Sequence, residues 1–199
     1  STYPPRACGI ATFTQDLIAE LEKTGRVSAS VAAVSDTEYA YPPAVRYTID
    51  QQEENSYAET AEKINRSGFD LLMVEHEYGI YGGKWGKYVL NLLERVKIPC
   101  FATLHTVLPE PNDRQREIMT GLASNCRKII TMASNTVEIL QNIYGIDRSK
   151  IEMVHHGVPE FPAAERGTLK KELGLTGRFI VSTFGLISPG KGLEYGIEA

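Results

Sequence analysis

The sequence predicts a doubly wound, mainly parallel α/β sheet with flanking helices. Two observations carry this. Short apolar runs alternate along the chain with segments whose apolar residues recur at helical spacing. The runs Leu71-Leu72-Met73-Val74 and Ile129-Ile130-Thr131-Met132 are also continuous rather than alternating, as strands buried on both faces of a parallel sheet read.

Taken in order, residues 1–8 read as a loop, and a helix follows from Gly9 with the stripe Ile10, Phe13, Leu17 and Leu21. Strands are expected over residues 29–34, 45–49, 69–75, 100–104, 128–133, 151–155 and 179–184. A second helical stripe runs through Trp85, Tyr88, Val89, Leu92 and Val96. A third, shorter one runs through Val137, Leu140 and Tyr144. Asn135 with Glu138 three residues on reads as a capping box opening that third helix, and Gly145 as its stop. The spots Tyr3-Pro4-Pro5, Tyr41-Pro42-Pro43 and 108–111 read as loops.

Two features predict a piece of a larger molecule. In a βαβ unit a strand should precede the loop at residues 1–8, and no such pattern is present. Residues 191–199 carry a helical pattern without a stop signal. The expected organisation is a Rossmann-like domain over residues 1–165, a charged linker over 166–177, and the opening of a second α/β domain over 178–199.

Composition narrows the function classes. With 25 acidic and 21 basic residues the formal charge is −4, and 42% of the 199 residues are hydrophobic. The basic residues are scattered, with the densest group at Lys170-Lys171 near Arg166 and Arg178. That is no nucleic-acid footprint. No apolar run has the length of a membrane span, and the first residues do not resemble a signal peptide. Cys8, Cys100 and Cys126 are far apart and odd in number, which predicts reduced thiols in a cytoplasmic protein.

In open α/β sheets, ligands bind outside the carboxyl ends of the strands, and five places there can carry chemistry. Arg6-Ala7-Cys8-Gly9-Ile10-Ala11-Thr12 is a loop entering a helix, suited to an anion or a sugar hydroxyl. It is neither a G-x-G-x-x-G fingerprint nor a Walker A loop. Glu75-His76-Glu77-Tyr78-Gly79-Ile80-Tyr81-Gly82-Gly83 follows the strongest strand, and its His76 reads as a ligand or base, or as a packed core histidine. Thr103-Leu104-His105-Thr106 puts a histidine at a strand end, where it can exchange a hydrogen bond or a proton with a sugar hydroxyl. His155-His156-Gly157-Val158-Pro159 holds adjacent histidines that point to opposite sides of an extended chain, so no metal site is expected. Residues 184–192 combine a strand end, glycines, Lys191 and a helix start, which suits a phosphate. No G-x-S-x-G elbow is present. The residues by themselves reach an α/β enzyme fragment that binds something anionic or sugar-like.

In order and spacing, these motifs resemble family 4 retaining glycosyltransferases of the GT-B fold, in a bacterial subgroup. The resemblance runs through Ser1-Thr2-Tyr3-Pro4-Pro5-Arg6-Ala7-Cys8-Gly9-Ile10-Ala11-Thr12-Phe13, His76-Glu77-Tyr78-Gly79-Ile80-Tyr81-Gly82-Gly83 and Thr103-Leu104-His105-Thr106. It continues in Ala133-Ser134-Asn135, Gly157-Val158-Pro159, and residues 185–192 with Glu194 and Glu198-Ala199. It implies an N-terminal acceptor-side domain and the first strand, loop and helix of a nucleotide-sugar-binding domain. His105 corresponds to the histidine placed beside the transferred sugar. Lys191 corresponds to the lysine that binds the donor diphosphate and stabilises the leaving group. Gly9, Ile10, His76, Glu77, Tyr78, Ser134, Gly157, Gly185 and Gly190 would lie around donor or acceptor.

The implied reaction is metal-independent transfer from a nucleotide-sugar, which is a substrate and not a cofactor, to a saccharide, lipid-linked or small-molecule acceptor. Peripheral membrane contact is compatible with a lipid-linked acceptor. Tyr39, Tyr41, Tyr78 and Tyr81 read as glycan-stacking residues or as loop tyrosines. Two departures stand out: Leu186 occupies the position of the usual arginine, removing one cationic contact to diphosphate, and His156 stands where asparagine is frequent. The alternatives are a degenerate GT-B binding or scaffold protein and a non-hydrolysing nucleotide-sugar epimerase.

Overall fold

In the computed structural model, the six strands among the described residues all pair in parallel, in two sheets separated by a groove. The structure describes residues 1–158, 162–183 and 192–198. The chain divides into two compact units, Ser1–Gly157 and Val158–Ala199.

The first unit carries α1 (Gly9–Lys23), β1 (Val31–Ser35), β2 (Val45–Asp50), α2 (Glu54–Asn65), β3 (Leu72–His76), α3 (Val89–Leu93), β4 (Cys100–Leu104), α4 (Asp113–Asn125), β5 (Lys128–Thr131), α5 (Ser134–Asn142) and β6 (Ile151–Met153). One sheet is β1-β2 and the other β3-β4-β5-β6. This is an α/β fold of parallel sheets flanked by helices, a Rossmann-like domain. The strands fall inside or within one residue of the expected runs, with their ends trimmed. The run at 128–133 stops at Thr131, for example, because Ser134 already opens α5.

The continuous apolar runs form the core. Val74, Ala102, Leu104, Ile129 and Ile151 are buried, and Ile118, Met119 and Leu122 of α4 pack with them in one cluster. Burying side chains of this kind contributes about 1.5–3 kcal/mol each. The helix α1 behaves differently. Its buried residues are Ala11 and Thr14, whereas Ile10, Phe13, Leu17 and Leu21 are only half-buried.

Two helix expectations need correction. The stripe Trp85 to Val96 is not one helix: residues 84–86 form a single 3-10 turn and α3 covers only Val89–Leu93. Gly82 and Gly86 explain the break. A Cβ on Gly82 would lie 1.6 Å from the Gln51 carbonyl oxygen, and one on Gly86, at φ 81°, would lie 2.6 Å from that of Tyr78. The chain has to turn tightly there, and Trp85 is left 43% exposed at φ 61°.

The Asn135–Glu138 capping box is likewise absent, since the N-cap of α5 is Ala133, two residues before Asn135, with no side-chain cap. The capping box of this domain is at α4. There the Asn112 side chain accepts from the Gln115 amide at 2.9 Å, and the Gln115 side chain accepts from the Asn112 amide at 3.0 Å. The structure also adds α2 and α4, which are mostly polar and bury one narrow face each, through Tyr57, Ala61 and Ile64 in α2 and Ile118, Met119 and Leu122 in α4.

In the second unit, Arg166–Glu172 forms α6, capped by Glu165, whose carboxylate accepts from the amides of Gly167 and Thr168. Residues read as linker are therefore partly helical. Leu193–Glu198 forms α7. The strand expected over 179–184 is absent across its described part: residues 179–183 take no regular structure, and Phe179 and Val181 are more than four-fifths exposed. No described helix is long and apolar enough to cross a membrane.

Candidate functional site

The carboxyl ends of β3 and β4 bring Glu75 and His105 together. The two strands run in register, with His76 opposite Leu104, and the His105 amide donates to the His76 carbonyl at 2.9 Å. This places the His105 ring over Glu75, with Nε2 2.9 Å from the Glu75 carboxylate. The second carboxylate oxygen accepts from the Thr103 hydroxyl at 3.3 Å. Glu75 is 2% exposed. An ionised carboxylate only accepts hydrogen bonds, so Nε2 carries the proton, and in the neutral ring Nδ1 keeps the free lone pair.

Phe13, from the second turn of α1, stands edge-on to His105 with ring centroids 4.7 Å apart, and edge-on to His156 at 5.3 Å. The end of β4, the first turns of α1 and the segment after β6 therefore meet around one aromatic ring. His156 is exposed, and its Nδ1 lies 2.7 Å from the Gly157 carbonyl oxygen.

The loop entering α1 is held from several sides. Arg6 donates to the Val34 carbonyl at 3.0 Å and pairs with Asp36 at 3.5 Å, while the Ser1 and Thr14 hydroxyls are 2.6 Å apart. Cys8, the N-cap, makes no side-chain cap. Among the described residues, the amides of Gly9 and Ile10 have no hydrogen-bond partner, as expected for first-turn donors. Gly9 is exposed, and a Cβ built there meets nothing within 4 Å. The space over this helix start is open.

Other residues singled out from sequence sit elsewhere. His76 is fully buried, stacked on Tyr81 at 6.1 Å and edge-on to Tyr78 at 5.0 Å, with neither ring nitrogen hydrogen-bonded. Burial, reinforced by the neighbouring His105, pushes its pKa down to about 3, so the ring is neutral. Of its two readings, the packed core histidine holds. Tyr78 and Tyr81 are buried as well. The Tyr81 hydroxyl donates to the Glu75 carbonyl at 2.8 Å, and the Tyr78 hydroxyl reaches the Gln115 carbonyl at 3.5 Å. Both lie in the turn segment after β3, with their rings packed in the core and closed to a glycan.

Glu77 is spent locally, accepting from the Gly79 amide at 2.7 Å. Ser134 is exposed at the start of α5, and Gly157 is exposed with open space around it. Gly185, Leu186, Gly190 and Lys191 lie outside the described residues.

Two participants lie outside the site residues that the sequence singles out. Glu75 does carry a signal there, an acid inside the strand Leu72–His76, because a carboxylate buried in a parallel sheet requires a partner. Phe13 carries none, since its spacing shows only a helical stripe.

A parallel α/β domain with a histidine–carboxylate pair at its strand ends, in contact with α1 through Phe13, defines a Rossmann-like domain. Residues 8–160, about three quarters of the chain, match the family model Glycosyltransferase Family 4. The chain belongs to that family and its function is glycosyl transfer in the general sense, with a sugar donor and an acceptor as substrates. No curated protein matches the chain.

Proposed function

We propose that this chain is the acceptor-side half of a retaining, metal-independent glycosyltransferase that uses a nucleotide-sugar donor. The reading assigns it to the bacterial cytoplasm or the membrane periphery. The observation that supports it best is the Glu75–His105 pair, which meets α1 at Phe13, about one turn from the open helix start at Gly9.

With Nε2 committed to Glu75, Nδ1 of His105 is the ring atom left to meet a sugar hydroxyl. The carboxylate fixes the ring plane and tautomer, so no reorganisation is needed when the sugar arrives. The unpaired Gly9 and Ile10 amides suit a hydroxyl or a phosphate oxygen. Lys191 supplies the positive charge that stabilises the leaving diphosphate, by its place in the motif. The acceptor is a saccharide, a lipid-linked glycan or a small molecule.

The test is donor hydrolysis and transfer with UDP-, GDP- and ADP-sugars, with and without EDTA, in the enzyme that joins this domain to a complete nucleotide-sugar domain. Activity that resists EDTA, retains the anomer and falls by roughly 100-fold or more in His105→Ala and in Lys191→Ala is the expected result. A folded protein with no turnover on any donor overturns the reading in favour of a binding protein. Leu186, where an arginine is usual, then becomes the first position to revert.

A further inference from the structure

His105 and His156 approach one aromatic ring from separate elements. The Phe13 ring lies 4.7 Å from that of His105 and 5.3 Å from that of His156, in edge-on geometry with both. Each imidazole has one nitrogen tied to its own domain. Nε2 of His105 lies 2.9 Å from the Glu75 carboxylate, and Nδ1 of His156 lies 2.7 Å from the Gly157 carbonyl oxygen. Carboxylates and carbonyls only accept, so in their neutral forms the two rings are opposite tautomers. Nδ1 of His105 and Nε2 of His156 keep free lone pairs, and among the described residues neither has a hydrogen-bond partner.

The surroundings favour an uncharged, hydroxyl-rich ligand over an anion. The Glu75 carboxylate behind His105 is buried, and its charge opposes a second negative group close by. Among the described residues, no lysine or arginine bonds to either histidine. Phe13 is half-buried and supplies apolar surface between the two imidazoles. His156 is exposed, and a Cβ at Gly157 would meet nothing within 4 Å, so there is room beside it. A pyranose matches this chemistry, with C–H groups for the phenyl ring and O–H donors for two acceptor nitrogens. The adjacent His155 is exposed too but has no ring contact among the described residues.

We propose that His156 is a sugar-binding, specificity-determining residue, whose Nε2 accepts a second hydroxyl of the sugar that meets His105 through its first. The inference rests on the glycosyl-transfer reading above and deepens it. The substrate class at this site is an uncharged pyranose with two free hydroxyls placed on either side of Phe13, carried by the donor or by the acceptor. Each tautomer is set before the sugar arrives, that of His105 by Glu75 and that of His156 by its own backbone, so neither ring has to reorganise. His156 sits outside the reacting pair and acts on which sugar is held. One neutral hydrogen bond of this kind changes affinity by up to about tenfold, enough to rank sugars that differ at a single hydroxyl.

The experiment follows the ring nitrogens of His105 and His156 by NMR in the full chain, at about pH 8, where an ordinary imidazole is neutral. Methyl hexopyranosides and their monodeoxy forms are the acceptor-like probes. UDP-, GDP- and ADP-sugars are the donor probes, with UDP, GDP and ADP as sugar-free controls. One class of sugar should move both rings together, and the panel it belongs to tells whether donor or acceptor occupies the site. His156→Ala should weaken its binding up to about tenfold, His156→Gln should restore most of the loss, and His155→Ala should bind like the parent. The loss should vanish for one monodeoxy form, the one without the hydroxyl that His156 reads. The proposal is overturned if sugars that move His105 leave His156 still, or if His156→Ala binds every probe like the parent. It is also overturned if a sugar-free nucleotide moves His156 as far as its sugar conjugate does, or if no probe moves either ring. Failure of the transferase reading is a separate outcome, in which both rings respond and His156→Ala weakens binding but the assembled enzyme turns over no donor.

Discussion

Glu75 and His105 lie 30 residues apart in sequence and 2.9 Å apart in space. Their proximity is a product of register, because a shift of one residue between β3 and β4 would send Glu75 to the other face of the sheet. The pair makes a tautomer prediction that needs no substrate: imidazole nitrogen shifts of His105 should report a protonated Nε2 and a bare Nδ1. In Glu75→Gln the side-chain amide can donate as well as accept, so the ring should become a mixture of tautomers. Transfer activity of the assembled enzyme should fall at least about tenfold. An unchanged tautomer in Glu75→Gln would remove Glu75 from the positioning role. His76 makes a contrasting case, since its residue type suggested chemistry but its fully buried place among Tyr78 and Tyr81 leaves it without a polar partner.

At the scale of elements, local signals had unequal worth. The apolar runs located all six strands of the first unit, because burial on both faces leaves little room for polar residues. Capping was misplaced, since the Asn-to-Glu spacing at 135–138 occurs inside a helix that has already begun at Ser134. The box that forms at Asn112 predicts that Asn112→Ala costs about 1 kcal/mol, while Asn135→Ala should change stability by less than half of that. Urea melts of the two variants decide this. The turn after β3 depends on backbone contact, so Gly82→Ala, which drives a Cβ into the Gln51 carbonyl, should destabilise by roughly 2–4 kcal/mol. In the second unit, the amides of residues 179–183, which take no regular structure, should exchange close to the rate of an unstructured peptide.

For the molecule as a whole, a single buried ring ties stability to pH. The unfolded chain protonates His76 near its ordinary 6.5, whereas the folded chain holds it neutral down to about 3. Between those values the unfolded state binds more protons, so stability is lost as pH falls from about 6.5 to 3. Thermal melts should therefore show Tm declining as pH falls below about 6.5. His76→Phe, which keeps the aromatic contact with Tyr81, should flatten that decline.

The amino-acid sequence by itself determined the fold class, the strand positions of the first unit and the family, because each rests on patterns that the chain carries locally: apolar runs, turn glycines and short motifs. It also held His105 at a strand end, where a ligand site was expected. Tertiary structure alone decided which polar residues share a site. Glu75 met His105 through parallel register, Phe13 met both His105 and His156 through the approach of α1, and His76, Tyr78 and Tyr81 turned into the core. Register and helix approach are set by the summed packing of residues distant in sequence, which no local pattern records.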